Sequence, residues 1–199
     1  MDLPTESLKK LMASWRQDFH QHPELGFKEV RTSGIVSQLL KSFGLKVFDN
    51  FGKTGVLGLL EKNKNKKLIA IRADMDALPI TEQTSLPYES KYPGSMHACG
   101  HDGHTSILLG AAKFLSEDKE FDGNILFIFQ PDEENGGGAK AMIDDGLFQK
   151  FNISEIYALH NMPNMPVGYF ATREKTITAS ESAFEIEILS KGGHSSLPS

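Results

Sequence analysis

"NILFIFQPDEENGGGAKAMIDDGLF", residues 124–148, decides the fold. Its first seven residues, 124–130, are apolar nearly throughout and rich in residues that favour strands, the pattern of a strand buried inside a sheet. An acidic, glycine-rich loop follows. Residues 138–148 then place apolar side chains at helical spacing and end near Gly146, a residue suited to close a helix. Strand, loop and helix in this order form the unit from which α/β sheets are built.

The same alternation extends in both directions. Residues 5–20 bring Leu8, Leu11, Met12, Trp15 and Phe19 to one helical face, and Pro23 stops that helix. A second helix is expected from Glu29 to Phe43, with Ile35, Val36, Leu39, Leu40 and Phe43 inward and Gly44 as its cap. Strands are expected at 45–48, 55–61 and 68–73. A third helix is expected at 104–116, with Ile107, Leu108, Ala111, Phe114 and Leu115 on its inner face, and a further strand at 155–160. After 160 the texture changes. "NMPNMPVGYF" (161–170) reads as a loop, and "AFEIEILSK" (183–191) alternates apolar and polar like a half-exposed strand. That pattern suggests a second unit with an antiparallel sheet. The sequence stops in the loop-like "GGHSSLPS", so it reads as cut short inside that unit.

Composition narrows the classes of function. A chain of 199 residues with 39% hydrophobic residues can bury a good core, and a net charge of −5 leaves no footprint for nucleic acid. The basic run "EKNKNKK" (61–67) reads as a solvated turn. No apolar run is long enough to span a bilayer, so no membrane partner is expected. The first residues lack a secretory pattern, and a single Cys excludes a disulfide framework. A reducing, cytoplasmic setting is the expectation.

Four clusters carry metal-ligand chemistry. "RADMDALP" (72–79) supplies Asp74 and Asp76 after a strand. "HACGHDGH" (97–104) leads into the third helix with Cys99 and His101. "QPDEENGGG" (130–138) supplies Asp132, Glu133 and Glu134 after the 124–130 strand, and His160 closes the last one. Each of these, apart from His-x-Cys-x-His, has an ordinary structural reading when taken alone. Together they fall on the carboxyl edge of one α/β sheet, where such sheets build sites, and at a helix amino terminus, which favours anions and lowers a thiol pKa. Thiolate, imidazole and carboxylate suit Zn²⁺, with Mn²⁺, Co²⁺ or Ni²⁺ as alternatives. Several such groups on one rim can hold two ions roughly 3.5–4 Å apart. Hydrolysis there also needs a carboxylate that is not a ligand, to move the proton. Glu133 and Glu134 offer that division, and spacing alone does not say which is which.

"HQHPELGF", "RADMDALP", "MHACGHDGHT", "FQPDEENGGGAKAMIDDGLF", "LHNMP" and "GGHSSLP" resemble, in order, the motifs of the metal-dependent amidohydrolases, the family of hippurate hydrolase, N-acyl-amino-acid amidohydrolases and indoleacetyl-amino-acid hydrolases. The resemblance implies a three-layer α/β/α catalytic domain of zinc-peptidase type over residues 1–175. It also implies an inserted α+β lid or dimerisation domain, of which 176–199 are only the start. The implied reaction is hydrolysis of the amide of N-acyl amino acids by two divalent ions, Zn or Mn, in a homodimer or homotetramer. By the same resemblance Cys99, His101, Glu134 and His160 are metal ligands, and Glu133 is the general base. Asp76 orients the metal site, and His194 meets the substrate. Asp74 stands where more distant branches carry a metal-binding His, and it stays outside the ligand set. A final His ligand comes from beyond this sequence, so the chain as it stands is expected to be inactive. A deacetylase of N-acetyldiaminopimelate type is the near alternative. An inactive metal-binding remnant and a sensor using Cys99 as a reactive thiol are alternatives of other classes. The family pattern "PAEEGGGGA" is here "PDEENGGGA". Asp132 is therefore expected either to raise the pKa of Glu133 or to point to solvent.

Overall fold

A computed structural model describes residues 5–180, 182, 184–189, 191–194 and 196. Its elements, in order, are α1 (Glu6–Gln21), α2 (Val30–Ser42), β1 (Lys46–Phe51), β2 (Gly55–Glu61), β3 (Leu68–Asp74), α3 (His101–Glu117), β4 (Asn124–Gln130), α4 (Gly138–Asp144), α5 (Leu147–Lys150) and β5 (Ile153–Ala158). The chain divides into two compact units, Met1–Asn161 and Met162–Ser199, and the first holds all of these elements.

The sheet has the order β1-β2-β4-β3-β5. β2 pairs antiparallel with β1 and β4, while β3 runs parallel to both β4 and β5. All seven residues of β4 are buried, as the 124–130 reading requires. Successive side chains on a strand point to opposite faces. Ile125, Phe127 and Phe129 therefore meet Val36 and Leu40 of α2 and Leu108, Leu109 and Ala112 of α3. Leu126 and Ile128 meet Met142, Leu147 and Phe151 on the other side. The sheet is thus enclosed between two helical layers, α/β/α. Because β3, β4 and β5 run the same way, their carboxyl ends share one edge.

Three expectations shift. The third helix starts at His101, and its buried stripe is His101, His104, Thr105, Leu108, Leu109 and Ala112. Ile107 is 42% exposed. Leu108, Ala111 and Leu115 of the expected face do pack on the core, while Ile107 does not, because the inward stripe begins with polar residues that apolar spacing does not register. The helix expected at 138–148 is two short ones, interrupted at Gly146, whose φ of 90° ends one helical run before the next. Finally, residues 184–189 form no strand, and the other ends of the 183–191 run lie partly outside the described residues. A strand requires a hydrogen-bonded neighbour, and the alternating pattern does not supply one. No helix among the described residues is long and apolar enough to cross a membrane.

Candidate metal centre

Asp74 ends β3 and Asp76 lies just past it. Glu133 and Glu134 follow β4, and His160 follows β5. Cys99 and His101 flank Gly100, the residue before α3, whose φ is 89°. The positive φ favours glycine there, and a Cβ would also push aside the Asn161 side chain, whose Oδ1 lies 2.4 Å from where it would sit.

These segments converge. Cys99 Sγ is 3.4 Å from His160 Nε2. Ligand atoms of Cys99, His101 and His160 lie within 4.8 Å of one another, and so do those of His101, Glu133 and Glu134. His101 is fully buried, and its Nε2 is 3.6 Å from Glu134 Oε1 and 3.8 Å from Glu133 Oε2. Asp76 orients both partners: it faces His101 Nδ1 through Oδ1 at 3.2 Å and accepts the Glu134 backbone N–H on Oδ2 at 3.0 Å. With Nδ1 so engaged, Nε2 is the free face of the ring. Neither His101 Nε2 nor Glu134 Oε1 has a hydrogen-bond partner, although both are buried. Buried polar atoms are almost always paired, because leaving one unpaired costs roughly 1–3 kcal/mol. A cation between them would satisfy both, so the donor set fits a divalent ion.

Asp74 lies close as well, with Oδ2 3.7 Å from His101 Nε2. It is already engaged: Oδ2 is 2.7 Å from the Arg72 guanidinium, and Oδ1 accepts from His104 Nδ1 at 2.7 Å. Burial pushes its carboxyl up, but the His104 bond and Arg72 outweigh that and hold it down at about 2.

Burial, then the charges of Glu134, Glu133 and Asp74, push Cys99 up to about 12. A reactive thiolate needs electropositive surroundings, and these are acidic, so the sensor reading loses its basis. A bound cation would reverse the balance and favour the thiolate. Glu133 is about two-fifths exposed and its pKa is raised, first by burial and then by Asp74 and Glu134, against the opposing charge of His101.

Asp132 takes neither course expected of it. It is buried, with φ 45°, and accepts from Asn135 Nδ2 at 2.6 Å. The two residues that depart from the family pattern are therefore each other's partners. They are held from below by the "HPELGFKE" segment, residues 22–29. The fully buried Glu29 accepts the Asp132 backbone N–H at 2.9 Å and the Thr54 hydroxyl at 2.5 Å. Gly26 has no room for a Cβ, which would fall 1.9 Å from Asp132 Oδ1. Glu24 caps α2 by accepting the N–H groups of Arg31 and Thr32 at 3.0 and 2.8 Å. In the glycine run, Gly138 lets α4 start against the Pro131 carbonyl, where a Cβ would fall 1.6 Å away.

Sequence reasoning left out His104 and Asn161, which border the centre, and His20. His20 bonds Asp102 at 2.9 Å and Glu82 at 3.1 Å behind the ligand loop. The recurrence of His at 97, 101 and 104 was the available signal for His104. His194 belongs to the second unit, where its Nδ1 accepts the Ser196 backbone N–H at 3.3 Å.

Residues 70–197 match the family described as Peptidase family M20/M25/M40. The chain belongs to that family. It is 50% identical over 183 residues to a hippurate hydrolase of Campylobacter jejuni, covering 92% of this chain and 48% of that protein. It is 42% identical over 189 residues to an N-acetylcysteine deacetylase of Bacillus subtilis, covering 94% and 49%. Among solved structures it is similar to the Bacillus subtilis YXEP protein, described as a dinuclear metal-binding peptidase of the M20 family. That similarity has a TM-score of 0.77 and 41% identity over 82% of this chain and 46% of the other. This M20 chain thus spans about half the length of the curated relatives it matches.

Proposed function

We propose that this chain carries the metal-binding part of a hydrolase that cleaves the amide of N-acyl amino acids, releasing a carboxylic acid and a free amino acid. The observation that carries the reading is the pair of buried, unpartnered atoms, His101 Nε2 and Glu134 Oε1, 3.6 Å apart beside Cys99 and His160. Cys99, His101, Glu134 and His160 would hold the ions, and a sulfur, nitrogen and oxygen donor set favours zinc, with manganese, cobalt and nickel as alternatives. When bound, divalent ions would polarise the amide carbonyl and ease the deprotonation of water.

The remaining work falls to the chain's own side chains. Glu133, raised in pKa and open to the cleft, takes a proton from the attacking water as oxygen adds to the carbonyl carbon. It gives that proton to the amide nitrogen as the C–N bond breaks. Asp76 holds the His101 ring and the Glu134 backbone in register throughout. The assignment of 176–199 to the start of a lid, and of His194 to the substrate, rests on the family resemblance alone.

The likeness to the deacetylase supports a second reading, in which the acyl group is acetyl. Extended to the relatives' full length, loaded with zinc or manganese and given N-benzoyl, N-acetyl and indoleacetyl amino acids, the protein is expected to release free amine from at least one. Preference for the benzoyl compounds supports the first reading, and preference for N-acetyl compounds, N-acetyldiaminopimelate included, supports the second. Hydrolysis of none of them removes both.

Two outcomes are expected of the 199-residue chain itself. Zinc should protect Cys99 from alkylation, and equal labelling with and without zinc would speak against ligation. Glu134→Gln should weaken zinc binding, since it removes the charge from an atom that faces His101. A titration curve matching that of the unaltered chain would take Glu134 out of the ligand set.

A further inference from the structure

We infer that His104 is a positioning residue, a latch that fixes the strand end carrying His160 against the helix start carrying Cys99 and His101. The inference rests on the metal-centre reading above. His104 lies in the first turn of α3 and is buried. Its Nδ1 is 2.7 Å from Asp74 Oδ1, on a carboxylate whose other oxygen is held by Arg72. A carboxylate paired with a guanidinium only accepts, so Nδ1 carries the proton and donates. Nε2 faces Asn161 twice, with the backbone N–H at 3.1 Å and the side-chain Oδ1 at 2.5 Å. The backbone N–H can only donate, which makes Nε2 the acceptor, and a half-turn of the Asn161 amide then brings its NH2 group, in place of Oδ1, to the ring. The same amide lies above Gly100.

That N–H belongs to the peptide unit joining residues 160 and 161. Fixing it fixes the direction in which His160 leaves the chain. His160 has few other anchors: it is exposed, and it follows β5, of which only the first residue is even half-buried. Its own Nδ1 donates to the Asn161 carbonyl at 2.6 Å, which leaves Nε2 facing Cys99. The rings of His104 and His160 meet edge-on with centroids 4.7 Å apart. One imidazole thus ties together the ends of β3 and β5 and the start of α3. The two ring nitrogens have separate duties, and neither can be exchanged for the other.

The test separates these duties. Asparagine at 104 can reproduce the Nδ1 donor toward Asp74 but does not reach Asn161. Glutamine can place an acceptor near the Nε2 position. Partners that orient a ligand typically contribute about 10–100-fold to metal affinity. His104→Asn is therefore expected to weaken zinc binding by about that factor, while His104→Gln stays within a few-fold of the unaltered chain. Zinc affinity would be read by competition with a chelator, alongside thermal melting of each variant. Equal weakening by both variants, or by neither, overturns the latch. A second measurement needs neither variant nor metal: nitrogen-15 NMR of the metal-free chain should show His104 with its proton on Nδ1 and Nε2 bare. The opposite tautomer overturns the proposal. An unaltered chain that takes up no zinc overturns the metal-centre reading instead, and the tautomer then still decides whether the latch exists.

Discussion

In a chain extended to the relatives' full length, Glu133→Gln is expected to retain its metal and to lose turnover by a factor of about 10²–10⁴. The two parts of that result come from different features of the site. Metal retention follows because Glu133 is not among the buried, unpartnered atoms, whereas Glu134 Oε1 and His101 Nε2 are. The loss of turnover follows because a glutamine amide can neither take a proton from water nor return it to the leaving nitrogen. The environment of Glu133 suits that exchange. It is half open to the cleft, and burial together with Asp74 and Glu134 raises its pKa, which brings a carboxylate nearer to neutral pH and makes it a better base and a usable acid. Metal content and the rate of amine release, measured on the same preparations, check both halves. Normal turnover would show that the base lies elsewhere. Turnover lost together with the metal would mean that the two glutamates have exchanged roles.

What the sequence revealed, and what it hid, depends on which residues carry a periodic signal. The run 124–130 is read correctly as a buried strand, because a strand covered on both faces leaves an unbroken apolar record. The polar start of the inner face of α3 is missed for the converse reason, although Leu108, Ala111 and Leu115 pack on the core as read. Its inward stripe begins with the buried polar residues His101, His104 and Thr105, so apolar spacing gives undue weight to the exposed Ile107. The convergence of Cys99, His101, Glu133 and Glu134 at one edge follows from strand order, and hydrophobic patterns imply that edge through the parallel βα units. The supports are hidden. Glu24 and Glu29 look like ordinary surface acids in "HPELGFKE", yet one caps α2 and the other is fully buried beneath the acidic loop. The pairing of Asp132 with Asn135 is a contact three residues apart across a turn, with no apolar side chain to mark it. The raised pKa of the thiol was only partly legible, because a helix terminus is visible in a sequence, while Asp74 and the Glu133–Glu134 pair, from two separate segments, gather around Cys99 only in the fold.

Phe127→Ala is expected to destabilise the chain by about 3–5 kcal/mol, a large share of the roughly 5–15 kcal/mol typical of a folded domain. Phe127 is fully buried at the middle of β4, the central strand, opposite Gly58 of β2 and Ile71 of β3. Gly58 offers no side chain of its own, and the space above it is taken by Leu40 of α2 and by Leu45, both within 3.3 Å of where its Cβ would lie. Removing the ring therefore loses its contacts with the α2–α3 layer and leaves a cavity whose walls, a sheet and two helices, cannot easily close in. The metal centre would share the damage, since the carboxyl end of the same strand supports the loop bearing Glu133 and Glu134. Urea unfolding followed by circular dichroism should show a lower midpoint with an unchanged slope. Ile107→Ala, on the outer side of α3, should move that midpoint little, within about 0.5 kcal/mol, as surface changes usually do. If both substitutions cost the same, the inner face of α3 and its contact with β4 would not be arranged as described.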